Sequence, residues 1–244
     1  MVTEKKKKFE FSGETKTVDG IALHRIRALR DIPKFGVKKG DLGGWIQKLE
    51  NLSQDGNAWV HGNALVYGDA WVGGDARVEG NALVYGNALV RGNAQVSDNA
   101  LVSDNARVHG NAQVSDNAQV YGNAQVEGNA WVFGDAQVYD TAWVSGDAWV
   151  SGNALVYGNA RVNDTALVYG NARVAGYAVI NGDTSLITGT HDGPPKKLPR
   201  VKLIPVCLHA VINCTLDEFE TKIMSTGCIN EIGECYDTNN PKGK

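Results

Sequence analysis

The chain has 244 residues, 43% of them apolar and 21% charged, a composition that excludes a disordered polar chain. No window comes near 18 unbroken apolar residues, and the basic start MVTEKKKKFE has no apolar run after it; the sequence therefore predicts neither a membrane span nor a signal peptide and points to the cytosol. The net charge of -3 divides unevenly: residues 1–54 carry 12 Lys and Arg against 7 Asp and Glu, residues 55–180 carry 5 against 12, and residues 181–244 carry 7 against 8, which disfavours a uniform nucleic-acid-binding surface.

Residues 1–54 read as a β-rich cap with a solvated lysine tail at Lys5 to Lys8. Within it, TKTVDGIALHRI sets Asp19-Gly20 between two β-prone runs, which is a hairpin signal. GVKKGDLGGWIQ follows, and Asn51-Leu52-Ser53 leads directly into a repeat.

Residues 55–180 are that repeat. Alanine recurs every six residues from Ala58 to Ala178, making 21 units of Ala-x-Val-x-[Gly/Asp]-[Asn/Asp/Thr], with Ile180 closing the Val series and Tyr177 the one oddity. Ala and Val lie two apart, so on an extended strand they share one side while the x residues take the other. The Gly/Asp-Asn pair is turn chemistry, because Gly and Asn tolerate the left-handed backbone that a sharp corner needs. Strand and corner repeated without helices predict a mainly β chain, a parallel β-solenoid whose coils stack at about 4.8 Å.

With an aliphatic residue followed four positions later by a small one in every unit, as in Val60 and Ala64 or Val84 and Ala88, the sequence resembles the hexapeptide-repeat proteins that form a left-handed parallel β-helix. In that family three hexads make one triangular coil, so the resemblance implies about seven coils and a prism about 34 Å long. The KKGDLGGW segment that feeds the hexads looks like the front of hexapeptide-repeat proteins encoded by bacteriophages and prophages, many of them labelled acetyltransferases. The resemblance implies a fold but not one function, since acyltransferases, carbonic anhydrases, ice-binding proteins and scaffolds share it.

Three hexads per coil put residues 18 apart in one column. One face then shows Leu65, Leu83, Leu101, Gln119, Gln137, Leu155 and Arg173 beside Tyr67, Tyr85, Ser103, Tyr121, Tyr139, Tyr157 and Ala175. Five of the six tyrosines in the second outward slot fall on this face, which supports the period of 18. A second face carries Trp59 at one end and Trp131, Phe133, Trp149 and Tyr169 toward the other; the third is mixed and charged. The Leu/Tyr strip, with Leu65, Tyr67, Leu83, Tyr85, Leu101, Tyr121, Tyr139, Leu155 and Tyr157, is the predicted contact face, and Trp131, Phe133 and Trp149 a secondary aromatic patch. Stacking of neighbouring coils is a second use for the same tyrosines. The resemblance implies a homo-oligomer, commonly a parallel trimer.

Residues 181–200 read as a Pro-rich linker, HDGPPKKLPR, and residues 201–244 as a small α+β module: VKLIPVCLHAVI as a strand, then CTLDEFETKIM as a helix with Thr215 and Glu218 at capping-box spacing. Cys207, Cys214, Cys228 and Cys235 all lie here and read as reduced thiols; their spacings lack the tight knuckles of zinc sites, and no metal is predicted.

Acyl transfer from acetyl-CoA is the activity most common among the resembling proteins, and it typically uses a histidine base beside an inserted loop. The 21 units have no interruption, and their only histidines, His61 and His109, stand on different faces; His24 and His191 have no motif around them. No face has a threonine column of the ice-binding kind, and three converging histidines are lacking. The sequence thus favours a non-catalytic scaffold without cofactor, binding itself or a macromolecule; if phage-encoded, it would act on a host protein in the host cytosol. Nucleic acid and membrane are not its expected partners.

Overall fold

The computed structural model describes residues 7–193. The expected C-terminal module, its cysteines and residues 194–200 of the Pro-rich segment lie outside the described residues. Each hexad places its x-Val pair in a two-residue strand, and each strand pairs in parallel with the strand 18 residues on: Leu65 with Leu83, Leu83 with Leu101, Leu101 with Gln119. The strands of three consecutive hexads thus enter three different sheets, of 11, 8 and 7 strands. The chain is a parallel β-solenoid of about eight turns with three faces, and the described residues contain no α-helix. None of their helices is long and apolar enough to cross a membrane.

The interior is made by the two invariant letters. From Ala58 to Val174 every repeat Ala and Val is at most 1% exposed, so the core is two stacked columns of small side chains behind each face. Corners close because the fifth residue of the hexad takes the left-handed backbone: Gly86 has φ 71° and Asp116 φ 57°. Glycine is the easy choice there, and aspartate compensates for its steric cost. The N–H groups of Gly122, Gly134 and Gly158 donate to Oδ2 of Asp104, Asp116 and Asp140, one coil earlier, at 3.0 Å each. The sixth residue builds amide ladders along the edges: Asn93 Nδ2 donates to Asn111 Oδ1 and Asn111 to Asn129 at 2.9 Å, and Asn129 to Asp147 at 2.8 Å. The donor sequence stops at Asp147 because a carboxylate has no N–H to pass on.

The open N-terminal end is closed by the head. β1 (Phe9–Val18) and β2 (Ile21–Ala28) form the expected hairpin, with Asp19 and Gly20 both at positive φ. β3 (Leu42–Ile46) pairs antiparallel with β2 and parallel with Leu65–Val66, extending the 11-stranded sheet over the first coil. Gly43 and Gly44 are needed for this approach: a Cβ on Gly43 would stand 2.6 Å from the Val60 carbonyl oxygen, and one on Gly44 2.8 Å from that of Ala64. Side chains meet further first-coil carbonyls. Asn51 Nδ2 donates to Gly68 and Ala70, and Lys8 Nζ donates to Ala58 at 2.7 Å.

Two expectations are corrected here. Lys8 is not part of a solvated lysine tail; it is fully buried in the cap, and burial with help from Arg30 lowers its pKa from 10.5 to about 8. The solenoid also runs past Ile180. Ser185–Leu186 pairs with Leu167–Val168, and Thr190–Asp192 pairs with Arg173–Ala175. The last step is 17 residues, because the Ile187–Gly189 corner is one residue shorter, and so a strict search for hexads stops too early.

Asp116→Ala keeps a non-glycine residue in the left-handed corner and removes the acceptor for Gly134; urea denaturation is expected to show a loss of about 1–2 kcal/mol, and Asp116→Gly a smaller one. For Lys8, the unfolded chain holds a proton between about pH 8 and 10.5 that the folded chain lacks, so its contribution to stability rises with pH across that window. Stability measured against Lys8→Met is therefore expected to climb by about 2 kcal/mol from pH 7 to pH 10.

Candidate interaction surface

Because the coil uses only Ala, Val and the corner pair, the two x positions per hexad are free to carry a surface. On the 11-stranded sheet they carry the tyrosines. Tyr67 stacks on Tyr85 with ring centroids 5.1 Å apart and planes 4° from parallel; Tyr121 on Tyr139 and Tyr139 on Tyr157 are both at 5.0 Å and 2°. Ser103 divides the column into a pair and a triple, and it is only 3% exposed. Tyr121 Oη donates to Gln137 Oε1, a diagonal contact of 16 residues between one coil's second slot and the next coil's first. Burial raises the pKa of Tyr67, Tyr121 and Tyr139, helped at Tyr67 and Tyr139 by neighbouring tyrosines, so these hydroxyls stay neutral donors at physiological pH.

The predicted residues of this strip are together on one face. Leu65 is buried, in register with Trp45 of the cap, and the rest are half-buried. Trp45 prolongs the leucine column and is approached by two cations, Lys16 Nζ at 4.4 Å and Arg25 Cζ at 5.6 Å from its ring.

The 8-stranded face divides its aromatic residues. Trp59 is fully buried under the cap, edge-on to Phe9, and belongs to the core. Beside it His61 is packed near Phe35 and Trp59, and burial, with Arg77 close by, lowers its pKa to about 4; it is a neutral packing residue. Toward the other end Trp131 and Trp149 stack at 5.2 Å with Phe133 edge-on to both, and Leu167 and Tyr169 continue the columns. Trp149 is 45% exposed, so this patch offers more open apolar surface than the tyrosines do.

On the 7-stranded face the structure assembles a group that reading the residues one by one missed. His109 Nε2 lies 3.0 Å from Glu127 Oε2, Trp143 Nε1 donates to Glu127 Oε1 at 3.0 Å, and Arg161 stands 5.4 Å over the Trp143 ring. The signal was present as the same 18- and 16-residue offsets that organise the tyrosine face.

Among known families, the YdcK β-solenoid repeat matches residues 94–110, 112–128, 118–134 and 166–182, all within the prism. The chain is similar to that family over these stretches, which agrees with the coils described above. No curated protein matches the chain.

Tyr139 stacks on a ring above and a ring below, whereas Tyr169 makes no stacked pair among the described residues. Thermal denaturation is expected to show Tyr139→Ser destabilised by about 1–2 kcal/mol and Tyr169→Ser by less than about 0.5 kcal/mol.

Proposed function

We propose that the protein is a non-catalytic scaffold that binds a macromolecular partner, a second copy included, through the tyrosine face, with the Trp131, Phe133 and Trp149 cluster as a secondary contact. One observation carries the reading: the coils are complete without the outward rings, yet the rings are concentrated in columns on particular faces. Stacked tyrosines lose little rotamer freedom on binding and present neutral hydroxyls at their rim, the combination that protein contacts favour. In the phage setting that the head resembles, the partner is a host protein that the scaffold sequesters in the cytosol.

A second reading, acyl transfer from acetyl-CoA, has one observation in its favour, the His109–Glu127 pair, a histidine held by a carboxylate as a general base would be. Against it stands the unbroken run of hexads, in which no inserted loop shapes an acceptor pocket.

Light scattering after size exclusion, with affinity capture from host extract, separates these readings. Tyr85→Ser with Tyr121→Ser is expected to lower the assembled mass or release the captured protein; unchanged mass and capture would contradict the contact face. Turnover of acetyl-CoA that His109→Ala abolishes would establish the second reading instead.

A further inference from the structure

We propose that the Trp131, Phe133 and Trp149 cluster of the 8-stranded face receives an arginine-bearing segment of a partner polypeptide, its guanidinium lying against the indoles and turned toward the carboxylates beside them. This pairing rests on the reading of the cluster as a contact and adds the chemistry of what it contacts.

The apolar part of the site is one platform. Trp131 and Trp149 stack at 5.2 Å, and Phe133 stands edge-on to both at 6.3 and 6.2 Å, which sets its ring midway between their two rows. Leu167, one coil on from Trp149, and Tyr169 extend the platform. Trp131, Trp149, Leu167 and Tyr169 are each more than a third exposed. That open area needs an apolar or flat polar group to cover it.

The rim supplies the charge. Corners flanking these rows carry Asp135, Asp147, Asp164 and Asp183, all exposed, and neither edge of the face carries a Lys or Arg. Asp135, Asp147 and Asp183 accept from the neutral Asn117, Asn129 and Thr165. The ion pairs among the described residues all involve other carboxylates. Where the face carries no ring the corners differ: Asn111 and Asn117 flank the Gln113 and Ser115 row, and Asp116 there serves the Gly134 N–H. Exposed carboxylates without a cation repel nucleic acid and acidic chains and attract basic ones.

The other indoles show how such a place is filled. Trp45 has Lys16 Nζ at 4.4 Å and Arg25 Cζ at 5.6 Å from its ring. On the 7-stranded face Arg161, one coil on from Trp143, lies 5.4 Å over that indole, whose N–H goes to Glu127. The position one coil on from Trp149 holds Leu167 instead, and no cation of the described residues lies over Trp131 or Trp149. The two exposed indoles without a cation are thus the two with unclaimed carboxylates at their sides. Arginine suits the place better than lysine, because a planar guanidinium stacks on an indole while its fork reaches a carboxylate.

Fluorescence anisotropy of labelled hexa-arginine, titrated with the full chain in about 50 mM salt, is expected to show binding, with hexa-lysine about three- to fivefold weaker and hexa-glutamate unbound. Trp149→Gln gives this slot the residue it has at Gln113 and Gln137, so the coil is retained; hexa-arginine is expected to bind about five- to tenfold more weakly. Tyr85→Ser, on the tyrosine face, is expected to leave that binding unchanged. Asp135→Asn with Asp147→Asn keeps the Oδ1 acceptors of the edge ladders, and its loss is expected to be about fivefold in that salt and under about twofold in 500 mM.

Hexa-arginine that stays unbound up to about 500 μM protein, or that Trp149→Gln and wild type bind equally, would overturn the proposal. If Trp149→Gln lowers the chain's own assembled mass or releases a captured protein while hexa-arginine stays unbound, the cluster remains a contact and the cationic partner is refuted.

Discussion

The structure depends on one interaction repeated at a fixed offset: the backbone N–H of each coil reaching the carbonyl of the coil 18 residues on, as Leu83 reaches Ala100 and Tyr85 reaches Val102 at 2.9 and 3.0 Å. That offset holds only while every coil closes in three equal sides, and closure needs a residue in the left-handed conformation at each corner. Constant side length in turn needs small interior residues, which is why the interior letters scarcely vary. A solenoid built this way has no globular core to shield its ends. Hence the head commits Asn51, Gly43, Gly44 and the buried Lys8 to the first coil, although burying that ammonium is unfavourable by its own lowered pKa.

The same offset determines what the outside can be. Any side chain in an outward slot meets its own kind of neighbour 18 residues away and a diagonal neighbour at 16, so faces are made of columns rather than of scattered residues. Tyrosines become a stack, asparagines a chain of amide-to-amide hydrogen bonds, and a histidine one coil from a glutamate sets its Nε2 against the carboxylate. The half-buried tyrosines and the more open tryptophan patch show two uses of this rule. The first joins coil stability to a face of neutral hydroxyls; the second leaves apolar area facing water.

Most of the fold was legible in the sequence because each slot answers to one physical demand: Ala and Val to the interior, Gly or Asp to the corner, Asn to the edge. The hairpin at Asp19-Gly20 and the period of 18 were legible for the same reason. What escaped the sequence depended on contacts from outside the repeat. Trp59 occupies an outward slot like Trp131, and only the cap lying over it makes it core. Lys8 looks like its neighbours Lys5 to Lys7, and only the first-coil carbonyl it meets draws it inside. The final coil was missed because Leu186 and Thr190 keep the hydrogen bonds while discarding the hexad letters. The Leu/Tyr strip could be listed from its spacing, but only the folded chain shows that Ser103, between the two runs of rings, is nearly buried.

The claim that the tyrosine face exists for contact, and not for coil stability alone, is tested most directly by hydroxyl-radical footprinting of tyrosine and tryptophan side chains as the protein is concentrated or given its partner. Tyr85, Tyr121 and Tyr139 are expected to lose reactivity while the corner residue Tyr177, 68% exposed, keeps its own. Equal reactivity of the ladder in the dilute and the associated states would contradict it.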